Sequence, residues 1–393
     1  MVSPFAFDLT ATEKVYLGER AATAIALEAE RLGAERVFLL VSRSLNTQTD
    51  EIEQICAALG KRAAAVYDGM PPHAPRSAVL EAAAMARDAN ADLVVTVGGG
   101  SVTDAGKIVT LCLKHNIRSH DDFDAYRVYV NDAGEVVKPV YDPPDVRAVI
   151  CPTTLSGGEF NPLSGATDEK IKLKQGYEQR IMAPVTVVLD PALTLHTPEW
   201  LWTSTGVRAI DHALESLGSL DSNYYADGMA ASALELLSAG LPRVKEDPSD
   251  LDARLKCQVG VWQSMIPLLG GVQLGLSHAI GHVLGGSFEV PHGYCSCVMA
   301  PSVLAFNESV NAHRQERISR SFGRPGERAA DILDEFITAL GMPRTLESVG
   351  VTPENHALLA ENTMHDFWAR TNPRTIEKAE DVLPVLQMAS ESR

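Results

Sequence analysis

The chain has 393 residues, 45% hydrophobic and 22% charged, with a mean hydropathy close to zero, so two globular domains are expected rather than one core. A net charge of −17 disfavours nucleic acid and anionic membranes as partners, and no apolar run reaches the roughly eighteen residues that a membrane span needs. Cys56, Cys112, Cys151, Cys257, Cys295 and Cys297 make no CxxC and no paired framework, and the opening MVSPFAFDLTATEK carries no signal-peptide pattern, which together set the expectation of a cytoplasmic protein with reduced thiols.

From the amino end, strand and helix signals alternate. Residues 18–32 are Ala-rich with helical periodicity, 36–42 (RVFLLVS) form a short buried-strand run, and 47–60 read as helix. Residues 63–67 are a second strand candidate, 77–89 a third helix, and 91–97 (ADLVVTV) a β-branched strand. Alternation of this kind predicts βαβ units and a parallel sheet covered on both faces.

The third strand runs into Gly98-Gly99-Gly100-Ser101, and helix is predicted to follow through Leu113. Glycines let backbone approach a ligand, and the free amides and dipole of a helix start favour negative charge, so this turn is expected to bind phosphate. Ser101 with Asp104 also fits a capping box, but three consecutive glycines exceed what a cap requires. The turn is neither GxGxxG nor a Walker A motif.

Residues 119–145 are polar and rich in Asp and Pro, and 128–130 with 135–138 are expected to pair as a hairpin around Asp132-Ala133-Gly134. Residues 148–151 return as a strand and end at Pro152-Thr153-Thr154-Leu155-Ser156-Gly157-Gly158, hydroxyls and glycines of the type that line a ligand crevice. Residues 185–189 give the last strand signal before Asp190-Pro191. Everything beyond reads as helix, at 206–218, 226–241, 250–266, 301–310, 328–340, 353–363 and 375–387. The expected domains are therefore 1–190, α/β, and 191–393, all helical.

Within the helical part, SHAIGHVLGGSFEVPH (277–292) places three histidines in one short arc. His278 and His282 are four apart and share a helix face. Gly285-Gly286 is expected to end that helix, and Pro291-His292-Gly293 to present a third imidazole from a turn or a new helix start. Imidazole ligates metals or moves protons near neutral pH, so a built site is expected here.

With these motifs in view, the chain resembles the iron-containing alcohol dehydrogenase superfamily. The resemblance implies a Rossmann-like parallel sheet followed by an all-α domain, the dehydroquinate synthase-like fold. It spans nearly the whole length. Residues 98–107 (GGGSVTDAGK) resemble the family's pyrophosphate loop, which implies cofactor contacts at Gly98, Gly99, Gly100, Ser101, Asp104 and Lys107. Thr153 and Thr154 match the segment that meets ribose and nicotinamide. Residues 206–215 (GVRAIDHALE) match the first ligand helix, and 277–293 the HxxxH…PHG signature. Metal-dependent members hold a divalent ion with an Asp and three His. By position the three imidazole ligands are His212, His278 and His292, while His282 takes the proton-relay place beside the substrate oxygen.

The fourth ligand position carries Arg208 instead of Asp. A guanidinium cannot ligate a metal and repels a neighbouring cation, although three neutral His can hold Zn²⁺ in an open geometry. Asp211, three residues on, is placed to neutralise Arg208 as a helix pair, and it points about 100° away from His212. The maleylacetate reductase branch of the superfamily also lacks the ligating Asp and works without metal, usually with Asn at that position. The reading that follows is an NAD(P)H-dependent reductase of a small carbonyl or oxo-acid substrate. Arg208, His212, His278, His282 and His292 are its catalytic residues, with Arg208 stabilising a developing oxyanion or clamping a carboxylate.

A metal-dependent alcohol dehydrogenase using Fe²⁺ or Zn²⁺ is the alternative, and a lyase resembling dehydroquinate synthase fits the PHG and HxxxH pattern less well. A nucleotide-binding protein without catalysis is a further alternative, which the intact glycine loop allows and His282 argues against. Ser42 and Arg43, where NAD-preferring relatives place an acid, permit NADPH and tilt the preference toward it. Homodimers are common in the superfamily, and a homodimer is the expected assembly.

Overall fold

The computed structural model describes residues 6–7, 9–131 and 136–390. The chain divides into two units, Thr10–His196 and Thr197–Arg393, with Phe7 and Leu9 belonging to the second. Phe7 meets Tyr225 edge-on at 5.1 Å and fills the space that a side chain on Gly270 would need. The division thus falls just past the Asp190 turn, and an aromatic contact with no sequence signature puts the amino-terminal segment with the helices.

In chain order the first unit comprises β1 (Lys14–Leu17), α1 (Ala21–Arg31), β2 (Val37–Val41), α2 (Arg43–Gln48), α3 (Glu51–Leu59), β3 (Ala63–Tyr67), α4 (Arg76–Asp88), β4 (Leu93–Gly98) and α5 (Gly100–His115). It continues with β5 (Tyr129–Val130), β6 (Val136–Val137), β7 (Arg147–Pro152), β8 (Leu163–Asp168), β9 (Leu173–Glu178) and β10 (Thr186–Leu189). Six strands form one parallel sheet in the order β1-β10-β7-β4-β2-β3.

β2 is apolar at every position because both of its faces are covered. Val37, Leu39 and Val41 pack with Ile25 of α1 and Ile55 of α3, while Phe38 and Leu40 pack with Val79 of α4 and Ile108 of α5 on the other side. A charge at any of these five positions would lose roughly 2 kcal/mol of burial and add an unpaired buried ion. From β2 the chain moves outward to β3, then crosses back to β4 and onward. The carboxyl ends of β2 and β4 therefore flank the point where strand order reverses, which is where open α/β sheets take ligands.

The expected hairpin is present as β5 and β6, paired Tyr129 to Val137 and Val130 to Val136. Its expected turn at residues 132–134 lies outside the described residues. Two features had no sequence expectation. β1 is a short edge strand, and β8 with β9 makes an antiparallel ribbon in which Gly165 faces Gly176. Paired glycines and alternating lysines gave that ribbon the look of a loop.

The second unit consists of α6 (Glu199–Gly218), α7 (Tyr224–Glu246), α8 (Leu251–Leu269), α9 (Leu276–Ser287), α10 (His292–Ser321), α11 (Ala329–Ala339), α12 (His356–Thr363) and α13 (Leu383–Ser390), with short 3₁₀ turns between them. α10 is far longer than the expected 301–310. It starts at His292, carries Pro301 within it, and bends at Asn311, whose φ is −131°. α13 covers only the end of the expected 375–387. α9 continues through Gly285 and Gly286 to Ser287, so the glycine pair does not end it. A Cβ on Gly285 would lie 2.8 Å from Cε1 of His292. The glycine makes room for that ring.

Candidate active site

In the first unit, α5 starts directly off β4. Gly99 is its N-cap and no side chain caps it, so the capping role considered for Ser101 and Asp104 is not the one they play. Ser101 Oγ accepts the His73 amide at 2.9 Å, and Asp104 pairs with Lys174 at 2.9 Å. The turn is closely packed: Cβ atoms on Gly98, Gly99 and Gly100 would lie 3.0 Å from Val102, 3.2 Å from Thr154 and 3.3 Å from Ser156. Gly106, six residues further on, has Thr96 of β4 only 2.0 Å from where its Cβ would sit, which lets the helix lie against the sheet. Thr153 and Thr154 are buried at the end of β7, and the Thr153 amide donates to Gly98 O at 3.0 Å. The threonine segment and the glycine turn are thus brought together.

Ser42 follows β2, with its hydroxyl 3.0 Å from that of Ser44 and its amide bonded to Val97 O, while Arg43 is exposed. These residues fit a dinucleotide: an uncapped helix start, a glycine turn that side chains would obstruct, and a strand-order reversal beside it. Lys107 departs from its expected role. It is fully buried, and its ammonium donates to the carbonyls of Gly158 (2.8 Å), Asn161 (2.9 Å) and Leu163 (2.7 Å). All three of its donors hold the 158–163 segment, leaving none for a cofactor. Burial pushes its pKa down to about 8.

In the second unit, Arg208, Asp211, His212 and Glu215 share one face of α6 through their 3, 4 and 7 spacing. α9 supplies His278 and His282, and α10 begins at His292. The His212 and His278 rings stack at 4.7 Å with 23° between their planes. His278 is fully buried, and its Nδ1 lies 2.8 Å from Glu215 Oε2 and 3.5 Å from Asp211 Oδ2. Glu215 also accepts the amides of Gly275 (2.9 Å) and Ser277 (2.8 Å), so one carboxylate fixes both the start of α9 and the His278 ring.

Asp211 does not pair with Arg208 as its helix spacing suggested. Its Oδ2 accepts the hydroxyls of Ser277 (2.8 Å) and Ser296 (2.7 Å), and among the described residues Arg208 makes no ion pair within 4.0 Å. Arg208 Nη1 is instead buried without a hydrogen-bond partner, 3.8 Å from where a Cβ on Gly281 would be. Gly281 stands between His278 and His282 in sequence, so the guanidinium reaches the stretch of α9 that carries both imidazoles.

His282 is part-exposed, and its Nδ1 lies 2.7 Å from Asp366 Oδ2. Trp368 is 5.0 Å from the His282 ring and edge-on to His278 at 5.8 Å. Asp366 and Trp368 were not anticipated, because they sit in a 3₁₀ turn between helices with no periodic pattern around them. The only signal was the aromatic pair Phe367-Trp368 next to an acid.

Burial pushes His212 well below the ordinary imidazole range, reinforced by His278, Arg208 and His282, and it does the same to His278 with Arg208 and His282 adding. Both rings are therefore neutral at neutral pH. Burial pushes Asp211 and Glu215 up, Asp211 further through the charge of Glu215, while hydrogen bonds to each carboxyl and the Arg208 charge act the other way.

Among the described residues, the one group of three possible ligands with donor atoms all within 4.8 Å of one another is Asp211, Glu215 and His278. The expected trio of His212, His278 and His292 is not gathered in that way, and the position expected for the fourth ligand carries the Arg208 guanidinium. This donor set does not fit a divalent cation held by one Asp and three His. Arg208 Nη1, His212 Nδ1 and His278 Nε2 are buried and unsatisfied, each at a cost of about 1–3 kcal/mol. Such atoms together suit a small, oxygen-rich, negatively charged ligand.

The model of the Fe-containing alcohol dehydrogenase family, C-terminal, matches residues 202–390, and that of iron-containing alcohol dehydrogenase matches residues 12–191. Dehydrogenase ALT3 of Alternaria alternata is 33% identical over 391 residues, covering 91% of this chain and 99% of that protein. Maleylacetate reductase 2 of Cupriavidus pinatubonensis is 32% identical, over 96% of this chain and 94% of its own. The crystal structure of maleylacetate reductase from Rhizobium sp. strain MTP-10005 aligns with a TM-score of 0.82 at 28% identity, covering 99% of both chains.

Proposed function

The chain belongs to the iron-containing alcohol dehydrogenase family and is an oxidoreductase, and we propose that it reduces a small oxo acid, of which maleylacetate is the first to test, with NAD(P)H and without a bound metal. Half-buried Arg208, whose Nη1 is buried without a hydrogen-bond partner, beside two neutral imidazoles is the observation that carries this reading.

Gly98, Gly99, Gly100 and Ser101 at the uncapped start of α5 would hold the pyrophosphate, with Thr153 and Thr154 at the ribose and nicotinamide. Arg43 is the cation available to a 2′-phosphate, which favours NADPH. When bound, the cofactor supplies a hydride. Reduction then needs two things from the chain: stabilisation of negative charge on the substrate oxygen, and a proton for it. Arg208 meets the first requirement through a fixed charge in a site of low dielectric, where it is worth far more than in water. His282 meets the second. The neutral His212 and His278 add polar contacts without a competing positive charge, and His292 completes the imidazole set.

A metal-dependent alcohol dehydrogenase is the second reading. The Glu215–His278 pair favours it, because a carboxylate at one ring nitrogen is how metal-ligating imidazoles are oriented. The deciding experiment uses chelator-treated, desalted protein with NADH or NADPH against a panel of oxo acids that includes maleylacetate. Primary alcohols with NAD⁺ or NADP⁺ are assayed in parallel, with and without Fe²⁺ or Zn²⁺. Oxo-acid turnover that is indifferent to metal supports the proposal. Turnover confined to alcohols and dependent on added metal would replace it with the second reading, and cofactor binding without any turnover would point to a nucleotide-binding protein.

A further inference from the structure

We propose that Asp366 is the positioning residue for the proton donor: it holds the His282 ring through Nδ1–H, so that Nε2 is the atom that exchanges its proton with the substrate oxygen. The inference rests on the reductase reading above for its chemistry, but its geometry stands alone. An ionised carboxylate can only accept, so the 2.7 Å contact from Asp366 Oδ2 to His282 Nδ1 requires a proton on Nδ1. The other oxygen of Asp366 accepts the Trp368 amide at 2.9 Å, capping a 3₁₀ turn and fixing the carboxylate plane.

The turn is itself anchored. Trp368 Nε1 donates to Gln273 Oε1 at 3.2 Å, the Thr371 hydroxyl donates to Leu274 O at 2.6 Å, and Asn372, buried, exchanges hydrogen bonds with Asn307 at 2.8 and 2.9 Å. The Leu276 amide closes on Asn372 Oδ1 at 3.3 Å. Residues 366–372 are thereby tied to the segment that leads into α9, and Asp366 keeps its place relative to His282. The Trp368 ring, 5.0 Å away and tilted by 32°, bounds the imidazole on one face.

In the reducing direction the hydride forms the new C–H bond and the carbonyl π pair moves to oxygen. The Nε2–H bond of the His282 imidazolium breaks as the O–H bond forms. The product is a hydroxy acid and a neutral imidazole that still donates Nδ1–H to Asp366. Because the His282 side chain is 39% exposed, solvent can return the proton. In the oxidising direction the same tautomer presents a bare Nε2 as the base.

The test uses Asp366→Asn, which keeps the size and capping ability of the side chain but removes the acceptor-only requirement at Nδ1. Asp366→Glu is the conservative variant. Two readouts are needed: the His282 tautomer by ¹⁵N nuclear magnetic resonance, and kcat and KM for the oxo acid that the parent reduces. The expected result is Nδ1–H in the parent, a mixed or Nε2–H tautomer in Asp366→Asn, and a fall in kcat of roughly 10²-fold. KM and cofactor affinity should stay within a few-fold, and Asp366→Glu should recover part of the rate. An unchanged tautomer, or an unchanged kcat in Asp366→Asn, would overturn the proposal. If the parent turns over no oxo acid, the reductase reading fails, and the tautomer measurement alone decides whether Asp366 positions His282.

Discussion

On the reading proposed above, Arg208 is the residue on which the chemistry turns, because it is a cation at a position where the family resemblance implies a metal ligand. Its Nη1 is buried without a hydrogen-bond partner, and such a donor costs about 1–3 kcal/mol unless a ligand or neighbouring charges offset it. Asp211 and Glu215 supply part of that offset at longer range, since the Arg208 charge works against the burial that pushes both carboxyls up. The remainder is available to a substrate. Arg208→Ala should therefore lower kcat/KM for an oxo acid by about 10²–10³-fold, the loss typical of one preorganised charge-stabilising donor. Arg208→Lys should restore only part of it, because a point charge on a flexible stem does not reproduce the guanidinium fork. Steady-state kinetics on the three proteins checks this, and Arg208→Ala kinetics equal to the parent would remove Arg208 from the mechanism. The site was legible in the sequence to the extent that chemistry was carried by spacing. His278, His282 and the face of Arg208, His212 and Glu215 follow from helical periodicity. Asp366 does not, because its relation to His282 is made by a turn 84 residues away. The destination of Asp211 was misread for a similar reason: two hydroxyls, from Ser277 and Ser296, outbid its helix neighbour.

Elements were read more reliably than their ends. β2, β4, β7 and β10 are apolar runs covered on both sides, and such strands announce themselves in any window. The β8–β9 ribbon is half-solvated and glycine-paired, so its pattern was lost. At α9 local propensity and tertiary packing disagree. Two glycines signal a helix end, yet the helix runs on because Gly285 is needed under His292. Gly285→Ala separates the two effects. Alanine gains about 1 kcal/mol in helix propensity, while its Cβ at 2.8 Å from His292 Cε1 must push the ring aside. Overpacking of this size costs about 1–3 kcal/mol. The two nearly cancel in stability but not in geometry, since a shift of several tenths of an ångström moves a site imidazole. The thermal midpoint should change by only a few degrees while kcat/KM falls about 10-fold or more. A large loss of stability with full specific activity would show that His292 packs there without serving the site.

At the scale of the whole molecule, the buried charges govern how stability responds to pH, and two of them act against the usual direction. Glu28 behaves in the common way. Hydrogen bonds from Arg31, Thr186 and Lys14 outweigh burial and hold its pKa down to about 2, so its contribution is complete above its ordinary value near 4.5 and fades as pH falls toward 2. Glu159 is the reverse. It is buried in the 3₁₀ turn Gly158–Phe160, Oε2 has no hydrogen-bond partner, and burial pushes it up to about 7. Between its ordinary 4.5 and that value the folded chain binds more protons than the unfolded one, so stability must fall as pH rises through this window. The loss amounts to about 3 kcal/mol and is complete above pH 7. Lys107 adds the other half. With its pKa pushed down to about 8, the folded chain binds fewer protons than the unfolded one between 8 and its ordinary 10.5, so stability is regained as pH rises across that range. The two groups together place a minimum near pH 7–8, where both are charged and burying them costs most. The first unit should accordingly melt at a higher temperature at pH 5 than at pH 7.5. Glu159→Gln, which stays neutral throughout, should flatten the slope between pH 5 and 7 and raise the midpoint at pH 7.5 by several degrees. Calorimetry of the full chain across this range, parent against Glu159→Gln, reads both. Parallel pH profiles in the two proteins would mean that Glu159 is as easily ionised as a carboxyl in water, and that the field at its carboxyl is more positive than its burial implies.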